Sequence, residues 1–294
     1  VVFAQGKYRM WYIGISTTTR TNGYELGYAE SDDGLVWSEH QENPILTPSR
    51  LPEGKSWQTP HVIFDSQTAT YRMRIVMAEM ERDSEGGLKS FFQRLGYATS
   101  KDALTWEIHP TSLYPSGRGP CVVIDNADSD FPYHLWMNSS HTIDGKFDDL
   151  VSSIFHFKSV DGLHWERDAE PAVKTAGPLK SVVYPFVLKQ PDGWIMWYGC
   201  HVDGGCFEIY CSTSEDGVNW THHVEQPAFP ATRDPNTFDG RYTSTPCVLE
   251  EEDRYLLYYS SRDCGHLYRS GDGKIRYDAG GIYRHIGVAV LPRS

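Results

Sequence analysis

The chain has 294 residues and a net charge of −12, and no apolar run in it is long enough to cross a bilayer. Because no basic stripe offsets this acidic balance, we expect no nucleic-acid partner, no membrane partner and a neutral ligand. Glycine, proline and aromatic residues are frequent, and helix-period apolar patterns are hard to find. This combination favours an all-β fold.

A short aromatic-led hydrophobic segment recurs five times along the chain. The copies are Tyr8–Tyr12, Tyr71–Ile75, Tyr133–Met137, Trp194–Tyr198 and Tyr255–Tyr259. Because the repetition runs from one end to the other, it predicts one closed array of repeats and a single domain over residues 1–294. The first residues already have strand character, so we expect the natural chain to extend beyond both ends.

A second motif, Ser-x-Asp-(Gly/Ala)-x-x-Trp, follows the first four copies. It occupies Ser31–Trp37, Ser100–Trp106, Ser159–Trp165 and Ser214–Trp220, with 69, 59 and 55 residues between successive tryptophans. This spacing suits one small antiparallel sheet per repeat, which is the pattern of a β-propeller blade. The Asp and Gly supply the local hydrogen bonds and the positive φ of a tight hairpin, so we interpret the motif as structural.

The fourth repeat shows the four expected strands most clearly. Strand one is predicted over Val182–Lys189, strand two over Trp194–Cys200 and strand three over Phe207–Ser212, and strand four begins at Trp220. In the fifth repeat, Ile286–Val290 matches strand three, but no Asp-Gly-x-x-Trp turn follows it. We therefore predict an incomplete fifth blade, which is closed by residues beyond the sequence or stays three-stranded.

The lengths of the connections predict where a ligand binds. Connections between strands one and two and between strands three and four are mostly short, whereas the others are long. Strand one begins and strand two ends at the edge that carries the long connections. Long loops on a rigid scaffold commonly carry the binding site, so we expect it at the openings of the first strands.

Five repeats, the connector Asn43–Leu46, the strand-three pattern of Leu26–Ala29 and the Asp-Gly-x-x-Trp turns together resemble the five-bladed propeller glycoside hydrolases. That superfamily includes the arabinanase and xylosidase group (family 43) and the invertase group (family 32). The resemblance spans essentially the whole chain and rests on scaffold features. It implies a five-bladed β-propeller with four-stranded antiparallel blades and a sugar site on the propeller axis.

The positions of the acidic residues differ from those that this resemblance implies. Glycosidic cleavage uses one carboxyl to protonate the leaving oxygen and another to activate water or to attack. In the family, carboxylates enter from the starts of the innermost strands, and the first of these positions falls at or before Val1. The visible openings at 58–61, 118–121, 183–185 and 243–246 contain no Asp or Glu. The family's catalytic residues therefore cannot be transferred.

Candidate catalytic carboxylates lie instead at the ends of the second strands. Glu79 follows an apolar run that would raise its pKa as a general acid requires, although a solvated rim carboxylate is the competing interpretation. Asp203 lies in a sequence that favours a turn, so a structural role in that turn is the alternative to catalysis. Asp263 follows Arg262, and an internal ion pair between the two is its alternative. His61 joins the candidates because a neutral imidazole near pH 7 exchanges protons or ligates a metal.

The expected sugar-binding residues combine aromatic faces with polar side chains that hydrogen-bond to hydroxyl groups. They are Trp57, Gln58, Arg118, Asn138, His141, Tyr184, His201, Arg241, Thr243 and Arg262. No organic cofactor and no metal are expected. Two metal sites remain alternatives: one shared by His141 and His201, and one formed by His201 with Cys200 and its neighbouring cysteines.

These features predict a glycoside hydrolase or transglycosidase that acts on a carbohydrate at a funnel on the propeller axis. A non-catalytic sugar-binding propeller module of a larger carbohydrate-processing protein is the main alternative, because the inner-strand openings lack carboxylates. A protein-interaction propeller would instead require a flat hydrophobic rim.

Overall fold

The computed structural model describes residues 1–14, 24–47, 49, 55–82, 88–139, 151–202, 206–234, 236–263, 267–269, 275–277 and 284–293. These residues form strands and turns and contain no α-helix, which confirms the all-β prediction. Within the same ranges, no helix is long and apolar enough to cross a membrane.

The first two sheets are four-stranded and antiparallel, and their strand order follows the chain. The first sheet contains β1 (Val2–Ala4), β2 (Lys7–Gly14), β3 (Glu25–Ser31) and β4 (Ser38–Glu39). The second contains β5 (Lys55–Asp65), β6 (Thr70–Arg82), β7 (Leu88–Ser100) and β8 (Glu107–Ile108). Each sheet therefore corresponds to one sequence repeat.

The third sheet has five strands because a short additional strand, β13, pairs with β11. It contains β9 (Arg118–Ile124), β10 (Tyr133–Asn138), β11 (Ser153–Ser159), β12 (Glu166–Arg167) and β13 (Val173–Lys174). The first four of these strands keep the order of the preceding sheets.

The fourth and fifth repeats form one seven-stranded sheet. It contains β14 (Val183–Gln190), β15 (Gly193–His201), β16 (Phe207–Ser214), β17 (Thr221–His223), β18 (Tyr242–Glu250), β19 (Arg254–Arg262) and β22 (Arg284–Pro292). A single parallel bridge between Phe207 and Tyr242 joins the two repeats. The remaining strands, β20 (Leu267–Arg269) and β21 (Ile275–Tyr277), pair with each other.

The repeat pattern of the sequence matches these strands closely. The five aromatic-led segments form β2, β6, β10, β15 and β19. The first four pair with the strands directly before and after them in the chain, whereas β19 pairs with β18 and β22. Short fourth strands begin directly after the four motif tryptophans. In the fifth repeat, β22 pairs with β19 as the predicted third strand. No fourth strand follows β22 among the described residues.

The Ser-x-Asp motif closes each hairpin through the same set of hydrogen bonds. At Asp216, Oδ1 accepts from the backbone N–H groups of Val218 at 2.9 Å and Asn219 at 2.7 Å. The hydroxyl of Ser214 donates to the same oxygen at 3.0 Å. The N–H of Asn219 and the further hydrogen bonds hold the pKa of Asp216 below its usual range. The motif therefore has the structural role that the sequence indicated.

The chain divides into two compact units, Val1–Val151 with Phe155–Glu170 and Ser152–Ile154 with Pro171–Ser294. In the first unit, Trp11 and Trp106 belong to one buried hydrophobic cluster, and Leu95 with Phe155 belongs to another. In the second unit, the buried side chains of the long sheet include those of Val187, Met196, Tyr198, Ile209 and Leu256.

Candidate functional site

A β-bulge interrupts the opening of every first strand from the second repeat to the fifth. The register shifts at these openings, between Gln58 and His61 in β5, at the Gly-Pro step of β9, and at the corresponding X-Pro steps of β14 and β18. In each case the residue before the proline has a positive φ. The angles are 40° at Thr59, 58° at Gly119, 59° at Tyr184 and 52° at Thr245.

This conformation is strained at three of the four bulges. Only glycine adopts a positive φ freely, and a β-branched residue such as Thr59 or Thr245 does so against its steric preference. The residue before a proline also normally favours an extended conformation. Bulges change the direction of side chains and are frequent beside active sites. Backbone strain of this kind is also found preferentially at functional sites. The openings of the first strands are therefore the candidate functional positions in each unit.

In the first unit, polar side chains gather around the bulges of β5 and β9. The amide Nε2 of Gln93 donates to Oε1 of Gln58 at 2.5 Å, and Gln93 is almost fully buried. The backbone N–H of Gly119 donates to the hydroxyl of Thr59 at 3.3 Å, which links one bulge to the next. Arg118 and Asn138 are direct cross-strand partners between β9 and β10.

Exposure separates these predicted residues into two groups. Gln58 and Arg118 are partly exposed, whereas Asn138 is completely buried. Gln58 and Arg118 therefore have surface for a ligand, whereas Asn138 has none.

His61 is the predicted residue with the most strongly shifted pKa. Its Nε2 lies 3.1 Å from the carbonyl oxygen of Val122 in β9. Burial, aided by the nearby charge of Arg74, lowers the pKa of His61 to about 3, although the Val122 carbonyl opposes the change. The imidazole is consequently neutral near pH 7, so it hydrogen-bonds without carrying a charge.

Glu79 and Trp57 lie in different environments although both belong to the second sheet. Glu79 is partly buried in β6, opposite Lys55 and Phe92. Trp57 has no exposed surface, donates from Nε1 to the carbonyl of Thr47 at 3.1 Å and belongs to the hydrophobic cluster around Trp11. The predicted stacking of Trp57 on a sugar is not compatible with this burial, and its place is in the core.

In the second unit, four predicted residues collect around Tyr242, where β18 opens. The guanidinium carbon of Arg262 lies 5.0 Å from the centre of the Tyr242 ring, and that of Arg241 lies 5.3 Å from it. The imidazole of His201 meets the same ring edge-on at 5.9 Å between centroids. Thr243 follows in the strand and is buried, where its hydroxyl donates to the carbonyl of Phe229 at 3.0 Å.

Ser181 fixes the position of His201 at this edge. The Ser181 hydroxyl lies 3.1 Å from Nδ1 of His201 and accepts the backbone N–H of the same residue at 3.0 Å. The His201 ring also packs edge-on against Phe207 at 4.4 Å, although the residue remains exposed. Asp263, which directly follows Arg262, is buried. Tyr184 opens β14 and is partly exposed.

Two predicted site residues, His141 and Asp203, lie outside the described residues. The metal interpretations that involve His141 are therefore untested. Cys200, Cys206 and Cys211 are free thiols, and burial raises the pKa of the Cys200 thiol beyond its usual range. Within the described part of the chain, no group of three or more His, Cys, Asp or Glu side chains is arranged to hold a metal ion.

Two buried carboxylates at the second unit's edge were not predicted from the sequence. Glu208 in β16 accepts from Nη2 of Arg233 at 2.9 Å, and Asp239 accepts from the hydroxyl of Tyr259 at 3.0 Å. Both contacts attach the connector between β17 and β18 to the sheet. Asp239 itself lies in a turn, in which the backbone N–H of Gly240 donates to the carbonyl of Thr237 at 3.3 Å. Glu208 gave no sequence signal, because its partner is 25 residues away.

A chain of two histidines and an aspartate lies on the third sheet. Nδ1 of His134 and Nε2 of His156 are 3.0 Å apart, and Nδ1 of His156 lies 2.7 Å from Oδ2 of Asp168. Their rings stack beside the buried Trp136. The spacing of these residues in the sequence contained no indication of this arrangement.

No protein-family model matches the chain. Uncharacterized protein Rv1502 of Mycobacterium tuberculosis is 28% identical over 142 residues, which are 48% of this chain and 45% of that protein. Uncharacterized protein MT1551 from another strain of the same species matches with the same identity and coverage. The chain therefore aligns with less than half the length of these curated relatives.

Solved glycoside hydrolases share the fold over nearly the whole chain. A thermostable family-43 glycoside hydrolase matches with a TM-score of 0.67 and 16% identity, covering 100% of this chain and 94% of that one. The GH32 beta-fructofuranosidase of Bombyx mori matches with a TM-score of 0.67 and 11% identity, over 94% of this chain and 57% of that one.

A structure described for the GH130 family of mannoside phosphorylases and hydrolases has a TM-score of 0.63 and 15% identity, over 98% and 81% of the two chains. Glycoside hydrolases of these families are five-bladed β-propeller enzymes, so the resemblance drawn from the sequence is confirmed. At such low identities the likeness establishes the fold alone.

Proposed function

We propose that the chain is a carbohydrate-active enzyme, a glycoside hydrolase or transglycosidase built as a single five-bladed β-propeller domain. One observation carries this proposal: a bulge with a positive φ before a proline recurs at the opening of four first strands, and polar side chains suited to sugar hydroxyl groups accompany it in both units. The fold shared with three glycoside hydrolase families supports a saccharide as the ligand.

In this proposal, Glu79, Asp203 and Asp263 are the candidate acid, base or nucleophile. Glu79 is partly buried and Asp263 is buried, and a carboxyl withdrawn from water is suited to general acid catalysis. His61 contributes a neutral imidazole beside the β5 bulge.

Gln58, Arg118, Tyr184, His201, Arg241 and Arg262 have the exposed surface to contact sugar hydroxyls directly. Asn138 and Thr243 are buried supports, and His141 stays a candidate. The reaction as proposed requires no organic cofactor.

The test compares Glu79→Gln and Asp263→Asn with the wild type on a panel of aryl glycosides and natural oligosaccharides. Each substitution keeps the size of the side chain and one acceptor oxygen but removes the ionisable carboxyl group. We expect kcat to fall at least about 100-fold with an unchanged melting temperature, as for loss of general acid–base catalysis. Glu107→Gln, at an exposed carboxylate of β8 in the second sheet, is the matched control and should keep full activity.

The same experiment addresses the alternative, a sugar-binding propeller module without catalysis. The absence of carboxylates from the four bulge sequences favours that alternative. A wild-type protein that binds oligosaccharides on a glycan array but turns over no glycoside would establish the binding module. Full activity in both variants would remove Glu79 and Asp263 from the mechanism.

A further inference from the structure

Gln93 is a buried amide in the second sheet, and its side chain is only 2% exposed. It pairs with Ala78 of β6, and Ala78 pairs on its other side with Ser56 of β5. Cross-strand partners point to the same face of a sheet, so these three side chains lie in one row. The small side chain of Ala78 leaves room for the amide of Gln93 to reach across to β5, where it contacts Gln58.

The presence of Gln93 at this position reduces the stability of the fold. Its Oε1 is buried and accepts no hydrogen bond from the described residues. A buried acceptor that loses its contact with water and gains no partner destabilises the folded state. The next pair on the same face of these strands is Val76 with Leu95, and both are apolar and completely buried. An apolar side chain of similar size would suit position 93 better, so packing alone does not explain the glutamine.

The hydrogen bond from Gln93 determines how the amide of Gln58 is turned. Nε2 of Gln93 donates to Oε1 of Gln58 at 2.5 Å. The oxygen and the nitrogen of a planar amide lie on opposite sides of the carbon that they share, so Gln58 turns its Nε2 away from Gln93. Gln58 is partly exposed and directly precedes Thr59, the bulge residue with a positive φ. Its N–H donors are therefore presented at the opening of β5 in one orientation.

A donor in a fixed orientation affects how a sugar hydroxyl group binds. A hydroxyl oxygen accepts hydrogen bonds and also donates one, so a freely turning amide meets it with either end. An amide that is held in one orientation meets it with its N–H groups only. It also loses less rotational freedom when the sugar binds. The direction of the hydrogen bond at this position then contributes to the choice of sugar.

We infer that Gln93 is a positioning residue, which acts through Gln58 and makes that side chain a donor to a hydroxyl oxygen of the bound sugar. Gln93 itself does not touch the sugar. This inference deepens the proposed function and rests on it. It also explains the unbonded oxygen of Gln93, because the residue serves binding at the expense of stability.

The test measures the melting temperature of Gln93→Met and, by calorimetry, its affinity for the methyl glycosides of glucose, galactose, mannose, xylose and arabinose. Methionine has a similar length but no hydrogen-bond donor. We expect the variant to bind at least about fivefold more weakly than the wild type, which corresponds to one neutral hydrogen bond. Its melting temperature should stay the same or rise, because the substitution removes a buried oxygen that lacks a hydrogen bond.

Gln58→Met and the double variant show whether the two residues act together. Gln58→Met should weaken binding at least as much as Gln93→Met, and the second substitution should have no further effect on affinity. Gln190→Met is the matched control and should leave the affinity unchanged. Nε2 of Gln190 also donates to a side-chain oxygen, Oε2 of Glu250 at 2.8 Å, but these residues end β14 and β18 and do not lie at the strand openings.

Sugar derivatives test the direction of the hydrogen bond. A deoxy sugar lacks one hydroxyl group, whereas a deoxyfluoro sugar keeps a weak acceptor at that position and cannot donate. For the wild type we expect one ring position at which the deoxy derivative binds at least about fivefold more weakly than the parent sugar, and the deoxyfluoro derivative less than about twofold more weakly. In Gln93→Met this difference between the two derivatives should disappear. The series on the wild type remains a test if Gln93→Met does not fold.

Unchanged affinity in Gln93→Met, or a loss of affinity that accompanies a lower melting temperature, would overturn the inference and leave Gln93 with a structural role. Additive losses in the double variant would mean that Gln93 contacts the sugar directly. Equal losses for the deoxy and deoxyfluoro derivatives would mean that Gln58 is not a donor. Each of these results contradicts the inference and leaves the proposed function intact. Binding of none of the methyl glycosides by the wild type would contradict the proposed function as well.

Discussion

His61 and Arg74 face each other across the β5–β6 pair, and each contacts a backbone carbonyl group of the third repeat. His61 Nε2 lies 3.1 Å from the oxygen of Val122, and Arg74 Nη2 donates to the oxygen of Gly162 at 2.8 Å. Arg74 is completely buried, and its guanidinium lies 5.0 Å from the centre of the Tyr97 ring. Burial lowers the pKa of Arg74 to about 10. Polar contacts thus join the second and third sheets.

The first prediction concerns Gly162, which accepts the Arg74 hydrogen bond. Its φ is +73°, and an added Cβ would lie 2.8 Å from Arg74 Nη2 and 3.0 Å from the Tyr133 ring. Gly162→Ala should therefore reduce the free energy of unfolding by about 2 to 4 kcal/mol, from backbone strain together with overpacking. Urea denaturation measures this change.

Gly6→Ala is the control for that prediction. Gly6 has a similar φ of +76°, but no atom lies within 4 Å of an added Cβ. Its substitution should reduce the free energy of unfolding by about 1 to 2 kcal/mol, through backbone strain alone. Equal losses in the two variants would mean that the contact with Arg74 has no energetic consequence.

The second prediction is a pH dependence that originates at His61. Its pKa is about 3 in the folded protein, below the ordinary value of 6.5. Between these values the unfolded chain binds the extra proton, so the stability of the fold falls as the pH is lowered from 6.5 toward 3. From pH 7 to pH 5 the wild type should lose about 1 to 2 kcal/mol more than His61→Gln.

Urea denaturation at the two pH values measures this difference, and the proton resonances of the His61 ring provide an independent check. They should not titrate between pH 7 and pH 5. An imidazole that titrates near pH 6.5 would contradict the assignment.

The third prediction concerns the Ser-x-Asp turns. Oδ1 of Asp102 accepts the backbone N–H groups of Leu104 at 2.9 Å and Thr105 at 2.7 Å. Burial alone would raise the pKa of Asp102, but the hydrogen bonds from Thr105, Leu104 and Ser100 outweigh it and lower the pKa to about 2. The ionised form therefore stabilises the fold above pH 3.8, and this contribution is lost as the pH falls toward 2.

Asp102→Ala should reduce the free energy of unfolding by about 1 kcal/mol, because solvent exposure screens the charge. Asp102→Asn keeps an acceptor oxygen, so it should reduce the free energy of unfolding by less than half as much. Thermal or urea denaturation of both variants at pH 7 compares them. Equal losses of stability would show that the charge of Asp102 matters and its acceptor geometry does not.

The fourth prediction concerns the strain at Thr245, whose φ is 52°. Thr245→Gly removes a β-branched side chain from an unfavourable conformation but increases the freedom of the unfolded chain. The net effect should be a gain of about 1 kcal/mol in the free energy of unfolding. Thr243→Gly, a buried neighbour without a positive φ, should instead destabilise the protein. A loss of stability in Thr245→Gly would show that the bulge is not strained.

Strands could be predicted from the sequence because local patterns determine them. In the fourth repeat, the expected strand three over Phe207–Ser212 corresponds to β16 (Phe207–Ser214), and the expected strand four begins within a residue of β17. Aromatic-led alternation and Asp-Gly turn chemistry act over a few residues, so they are visible in a single sequence.

The bulges could not be predicted, because tertiary structure overrides the local preference there. Thr59 and Tyr184 precede prolines, and such residues normally adopt an extended conformation. Their positive φ values run against this local preference.

Burial at the candidate site was equally hard to infer from sequence. Trp57 and Gln58 are adjacent, so they lie on opposite faces of the strand, and the tryptophan occupies the core face. The contact between Glu208 and Arg233 depends on how the connector folds back on the sheet. The predicted residues Arg241, Arg262 and His201 had been singled out one by one, but the Tyr242 ring around which they lie was not among the predictions.

The bulges have a consequence for how this protein can diverge. Each one shifts the strand register by a residue, so the alternation of inward and outward side chains starts afresh beyond the proline. Positions before the proline can therefore exchange one polar group for another without repacking the apolar layers that follow. A scaffold of this kind acquires new ligand preferences through substitutions at strand openings, while its interior remains the same.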